Sequence, residues 1–168
     1  MSEKVGSPSY DFMQDDHPKK CFTGCYRCLH RYGNQHYHGL LDWRLGFNVL
    51  SMLLDPNFSA GIDGNFDLPG LRDWPELSKR LAEDSSIVFK SKLQVIDGIN
   101  VIDLNDGVWA AIIHPLWNRN EVYERYPRLA EFASDASKFD FINTFSLSRN
   151  MGETLFNFKA DALDHFSN

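Results

Sequence analysis

The chain has 168 residues, the size of one ordinary domain, with 43% hydrophobic and 14% aromatic residues, which excludes global disorder and leaves enough apolar matter for a core without staples. A net charge of −6 excludes a basic nucleic-acid coat spread over the whole molecule. No stretch is apolar for long enough to span a bilayer and the first residues lack the pattern of a signal peptide, so the sequence reads as a cytoplasmic protein with no membrane partner.

Residues 1 to 20 are polar and aperiodic and read as a flexible arm. All three cysteines follow, at 21, 25 and 28. They sit in a locally basic stretch: between His17 and Asn48, Lys19, Lys20, Arg27, Arg31 and Arg44 face only Asp42, a local +4 in a chain whose remainder sums to −10. From Leu40 to Leu54 the apolar residues lie on most sides of a helical period, which predicts a well-buried helix stopped by Asp55 and Pro56. A knuckle plus helix over 21–54 follows as the first structural region.

Residues 55–72 are rich in Gly and Pro and read as a long loop. A short amphipathic helix is expected from Trp74 to about Asp84, with Asp73 as its cap and Pro75 in its first turn. Ile87 to Phe89 reads as a short strand and Leu93 to Ile96 as another extended run. Asn100 to Leu104 and Val108 to Ile113 flank Asn105-Asp106-Gly107, a strong hairpin signal. The second of these strands is unbroken apolar sequence, so it should be central and covered on both faces, and His114-Pro115 closes it. Residues 119–135 look helical with a break at Pro127, Phe139 to Leu147 reads as a strand, and a last helix is expected from about Gly152 to His165. The fold class is therefore α+β: a zinc knuckle and buried helix, then a mixed sheet flanked by helices over 55–168, packed on it as one compact unit.

The spacing Cys21-x3-Cys25-x2-Cys28 puts three thiols within eight residues. A tight turn between two cysteines can aim both sulfurs at one ion, and zinc takes four tetrahedral N/S ligands. The fourth is sought among His17, His30, His36 and His38. His30 is only two residues beyond Cys28, a poor span for a chelate loop, whereas His38 would fasten the knuckle to the helix start. The expected set is Cys21, Cys25, Cys28 and His38 around a structural Zn2+, with His36 and His17 next. Three thiolates and a histidine saturate the ion, so no open position remains for catalysis.

Around this cluster Cys25, Cys28, Tyr32, Asn34, Gln35, His38, Leu41 and Asp42 form a C-x2-C, Tyr-x-Asn-Gln, His, Leu-Asp pattern. That segment, about residues 21 to 50, resembles the zinc-binding C-terminal domain of Mrf-type DEAD/DEAH-box helicases. It is more similar still to the version in the helicase-like DrmB subunits of DISARM anti-phage systems. The resemblance implies an accessory module of a DNA helicase or translocase assembly, in phage defence, whose partner is a motor subunit or the remainder of a larger chain. The chain itself has no G-x-x-x-x-G-K-S/T loop and no D-E-x-H box, so it carries no ATPase.

Tyr26, Tyr32 and Tyr37 interleave with Arg27 and Arg31, a composition suited to stacking bases and neutralising phosphates. Arg27, Arg31, Tyr32, Asn34, Gln35 and Arg44 are the candidates for binding DNA or a partner protein; for Asn34 and Gln35 the commoner role of such side chains is to bond the knuckle backbone. An alternative class comes from the element order, helix, three strands, helix, strand, which is that of the restriction-endonuclease-like fold. Such a nuclease needs an acid on its second strand and acid-x-Lys on its third. Asp103 or Asp106 could supply the first, but Val108 to His114 holds neither acid nor Lys, so that site would be degenerate or migrated, and no catalytic residue is assigned. A zinc-stapled protein-interaction domain is the third reading.

Overall fold

The computed structural model describes residues 20–21, 23–68 and 70–165. Contacts divide it into two compact units, the residues up to 58 with 67–71, and 59–66 with 72–168. The segment expected as one loop is thus shared between them. The expected arm lies outside the described residues apart from Lys20.

The first unit holds the cysteine segment, a 3-10 stretch over Tyr32–Leu40, and helix α1, Trp43–Leu54. Asp42 starts α1: its carboxylate accepts from the Arg44 and Leu45 N–H groups at 3.0 and 3.1 Å, satisfying donors that a helix start leaves open. The expectation of a well-buried helix is corrected here. Only Trp43 and Asn48 of α1 are buried, whereas Leu50, Leu53 and Leu54 are 58%, 74% and 84% exposed. A helix is buried only where partners of matching area exist, and the rest of this unit is loop and 3-10 turn among the described residues. Asn48 reaches the returning segment, donating from Nδ2 to the Gly70 carbonyl at 3.2 Å.

The second unit is the mixed sheet. Helix α2 (Trp74–Phe89) leads to β1 (Leu93–Ile96), β2 (Ile99–Asp103) and β3 (Val108–Ile113). Helices α3 (Arg119–Arg125) and α4 (Pro127–Asp135) precede β4 (Lys138–Asn143), and α5 (Thr144–Arg149) and α6 (Met151–His165) complete it. The strand order is β1-β2-β3-β4, antiparallel in the first two pairs and parallel between β3 and β4. The alternation of β3 divides the core. Val108, Ala110 and Ile112 join Leu81, Ala82, Ile142, Leu147 and Leu155, from α2, β4, α5 and α6. On the other face Trp109 meets Phe132 edge-on at 5.2 Å and Tyr123 packs on Phe141 at 5.1 Å, so α3 and α4 cover that side. β3 is accordingly the covered central strand its apolar run predicts.

Two element readings are corrected. Ile87 to Phe89 is the last turn of α2, not a strand: Leu77, Leu81, Ser85 and Phe89 keep a helical repeat toward the core, and Lys90 in the left-handed region ends the helix. Asp73 holds the N-cap position of α2 without a side-chain cap bond; its carbonyl accepts the Leu77 N–H at 3.0 Å. Thr144 to Leu147 is helical, because the Asn143 side chain accepts the Ser146 N–H at 2.9 Å and turns the end of β4 into a helix start. One device was not anticipated. The β1–β2 hairpin turns at Asp97 and Gly98, both at positive φ, and Asp97 then accepts the Arg128 N–H at 2.9 Å, capping α4 from outside the helix.

Candidate metal centre

The knuckle is a tight turn in which the Cys28 and His30 N–H groups both donate to the Cys25 carbonyl, at 3.0 and 2.9 Å. That turn brings the sulfurs together. Cys28 Sγ lies 3.7 Å from Cys21 Sγ and 3.7 Å from Cys25 Sγ, and all three sulfurs are within 4.8 Å of one another. These distances are too long for a disulfide, whose sulfurs sit about 2 Å apart. They match an ion's coordination shell: four ligands about 2.3 Å from zinc at the tetrahedral angle lie roughly 3.8 Å from each other. The Cys25 N–H donates to Cys28 Sγ at 3.2 Å, the kind of bond that steadies a thiolate. Burial pushes the Cys21 thiol far above its ordinary value, and the adjoining Cys25 and Cys28 push it further. A divalent cation would supply positive charge beside the buried Cys21 thiol. The donor set therefore fits a metal ion.

The first turn of α1 fastens the first cysteine. Trp43 donates from Nε1 to the Cys21 carbonyl at 3.1 Å, and Arg44 donates to the same oxygen at 2.8 Å. The Trp43 N–H adds a bond to the Thr23 carbonyl at 2.8 Å. Arg44, singled out as a binding residue, is half-buried, with its guanidinium 4.5 Å from the Trp43 ring centroid and committed to this carbonyl.

Asn34 is the second fastening, in keeping with its expected bonding to the knuckle backbone. Its Oδ1 accepts the Arg31 N–H at 2.7 Å and its Nδ2 donates to the Leu29 carbonyl at 3.0 Å. The same Oδ1 accepts from His38 Nε2 at 2.8 Å, and the Arg31 carbonyl accepts from that nitrogen at 3.1 Å. Both acceptors are oxygens, so Nε2 of His38 carries the hydrogen. The His38 ring stacks on that of His30, 3.9 Å between centroids and 6° from parallel, and Tyr26 sets its edge against both. No sequence signal marked this pair, because the residues are eight apart across a 3-10 turn. The three thiols come together as expected; His38, the favoured fourth ligand, lies outside that close set, His36 is exposed in the 3-10 stretch, and His17 lies outside the described residues.

On the outside of the knuckle Tyr26, Tyr32 and Tyr37 are 64%, 84% and 61% exposed, and Arg27, Arg31 and Gln35 are exposed with them. Arg31 donates to the Tyr26 and His30 carbonyls at 3.2 and 2.8 Å, which holds its head on this face.

In the second unit the acids considered for a nuclease are occupied locally. Asp103 accepts the Asn105 N–H at 2.8 Å inside the hairpin turn, and Asp106 pairs with Lys159 at 2.6 Å. His114 is buried, its ring 5.8 Å from Trp74 and 6.2 Å from Trp117, and its Nδ1 accepts the Leu116 N–H at 3.2 Å. Burial pushes its pKa down to about 4, so it is a neutral core residue. In the loop, Asp63 accepts the Asn65 N–H, which holds its carboxyl below the usual range. Among the described residues no helix is long and apolar enough to cross a membrane. Compared with protein-family models, with curated proteins and with solved structures, the chain matches none.

Proposed function

We propose that this chain is a non-catalytic accessory module in which a structural zinc ion, held by Cys21, Cys25, Cys28 and a neighbouring histidine, rigidifies a surface for single-stranded nucleic acid within a helicase or translocase assembly. The observation that carries the reading is the pair of 3.7 Å sulfur separations, the spacing of a tetrahedral thiolate shell. Three exposed tyrosines beside Arg27 and Arg31 support the nucleic-acid role, since every base offers a face to stack and every phosphate a charge to neutralise. The helicase setting, and with it phage defence, comes from the resemblance of residues 21 to 50.

Elemental analysis of the reduced protein tests the metal, and one zinc per chain, lost on Cys25→Ser, is expected. Fluorescence anisotropy on a labelled single-stranded DNA tests the surface. Binding should weaken with salt and be lost in Arg27→Glu combined with Arg31→Glu, while zinc content stays the same. A zinc-loaded protein that ignores DNA at low salt would leave the face to a protein partner and overturn the nucleic-acid reading.

The nuclease alternative has the element order of the second unit in its favour. Against it, β3 runs Val108 to Ile113 without an acid or a lysine, and among the described residues the cysteines are the side chains grouped closely enough to hold an ion. Metal-dependent cleavage of DNA by the purified chain would reinstate it.

A further inference from the structure

Cys25 and Cys28 are the two ends of one hydrogen-bonded turn: the Cys28 N–H donates to the Cys25 carbonyl at 3.0 Å, and the Cys25 N–H donates to Cys28 Sγ at 3.2 Å. Their sulfurs lie 3.7 Å apart, and both residues are half-buried. Cys21 Sγ is as near to Cys28, at 3.7 Å, but it differs in access and in freedom. Cys21 is 3% exposed, and its carbonyl takes the Trp43 and Arg44 bonds that fix it to α1. A disulfide holds its sulfurs about 2 Å apart, so either pair has to close before it can bond. Side-chain rotation at the two ends of a turn supplies that movement. A buried cysteine pinned to a helix start has less room for it. Two cysteines separated by two residues are also the ordinary setting of a reversible thiol pair.

We propose that the knuckle is also an oxidation site, at which a hydroperoxide joins Cys25 to Cys28, leaves Cys21 as a thiol and so dismantles the metal centre. The inference rests on the zinc reading above and adds the regulation of that site. One sulfur of the pair takes an oxygen atom from hydrogen peroxide, giving a sulfenic acid and a water. The other sulfur displaces that oxygen as a second water, and the S–S bond forms. The sulfur pair loses two electrons and the peroxide gains them, with two protons consumed when both sulfurs start as thiolates. Cys21 takes up a proton as its thiol. One sulfur of the three then remains, too few for an ion that takes four ligands. Tyr26 and Arg27 are the residues enclosed by the ring so closed, and Arg31 donates to the Tyr26 carbonyl at 3.2 Å. The face proposed for nucleic acid therefore changes with the oxidation state of the turn beneath it.

Hydrogen peroxide added to the full-length, reduced, zinc-loaded protein tests this without a substitution. A chromophoric chelator should read release of the zinc, and the mass of the denatured chain should fall by about 2 Da with the loss of two hydrogens. Dithiothreitol with added zinc should reverse both. Trypsin then locates the bridge. It cuts after Lys20, Arg27 and Arg31, so Cys21 and Cys25 share one peptide and Cys28 lies on the next. Those two peptides should be found joined, with the bridge at Cys25 on fragmentation and Cys21 carrying an alkylating reagent added before digestion. A bridge that includes Cys21, a bridge between chains, sulfinic acid with no bridge, or zinc kept through the treatment would overturn the inference and leave the zinc reading standing. No zinc in the reduced wild type would sink both.

Discussion

The indole N–H of Trp43 donates to the carbonyl of Cys21 across twenty-two residues of sequence, at 3.1 Å. The first cysteine and the first residue of α1 are therefore one mechanical piece, and Arg44 doubles the bond from the next position. The order of the helix start and the geometry of the thiols are coupled through a single backbone oxygen.

Removing that donor while keeping the ring tests the coupling. Trp43→Phe should cost about 1 kcal/mol of stability, the net worth of one buried hydrogen bond, and a few-fold in metal affinity. Urea unfolding of the metal-loaded protein reads the first, and competition with a chromophoric chelator the second. An unchanged affinity would show that the indole bond contributes nothing to the site.

Asn34 bonds the Arg31 amide, the Leu29 carbonyl and His38 at once. Asn34→Ala should release the 3-10 stretch from the knuckle and lower metal affinity by about 10- to 100-fold, the usual effect of losing a group that orients a metal site. Asn34→Asp should fall between the two, since it keeps the acceptor for Arg31 and His38 and loses the donor to Leu29. Isothermal titration at one pH would rank the three.

The raised pKa of the Cys21 thiol fixes the sign of a pH dependence. A raised pKa keeps the proton on sulfur through neutral pH, so an ion must displace it, and affinity should increase with pH. The apparent constant should tighten by about tenfold per pH unit for each thiol proton released. Calorimetry in two buffers of different ionisation enthalpy should count at least one proton set free per ion bound.

His114 gives the second unit its own pH profile. Its pKa falls from 6.5 to about 4 in the folded state, through burial, so the fold favours the neutral ring. The stability this represents is complete above the unfolded value and is lost as pH drops toward the folded one. Between neutrality and about pH 5 the loss should be about 2 kcal/mol. His114→Gln should flatten that part of the profile; an equal slope in wild type and variant would assign the acid sensitivity elsewhere.

Much of the sheet was legible in the residues. Val108 to Ile113 reads as a doubly covered strand because every position is apolar, and Pro127 marks the break between α3 and α4 because it cannot donate inside a helix. Ile87 to Phe89 was misleading because β-branched residues at the end of a helix look like a strand when taken alone; only the repeat from Leu77 settles it. Thr144 to Leu147 was misleading because alternation continues past Asn143, whose role as a cap depends on a single side-chain bond. In the site, the three thiols were readable from spacing. The roles of Trp43 and Arg44 were not, since each depends on which backbone oxygen lies beside it in space.

The path of the chain through residues 59–71 bears on how the protein can be divided. Ala60 and Ile62 serve the second unit, where their carbonyls accept from Trp117 Nε1 and the Tyr126 hydroxyl, both at 2.8 Å. Gly70 then serves the first, as the acceptor of Asn48. A protease cut after residue 58 would strip the first unit of its closing segment, and a cut before residue 72 would strip the second of its opening one. No single scission frees both halves whole, because the chain leaves the first unit after residue 58 and returns at 67, and leaves the second after 66 and returns at 72.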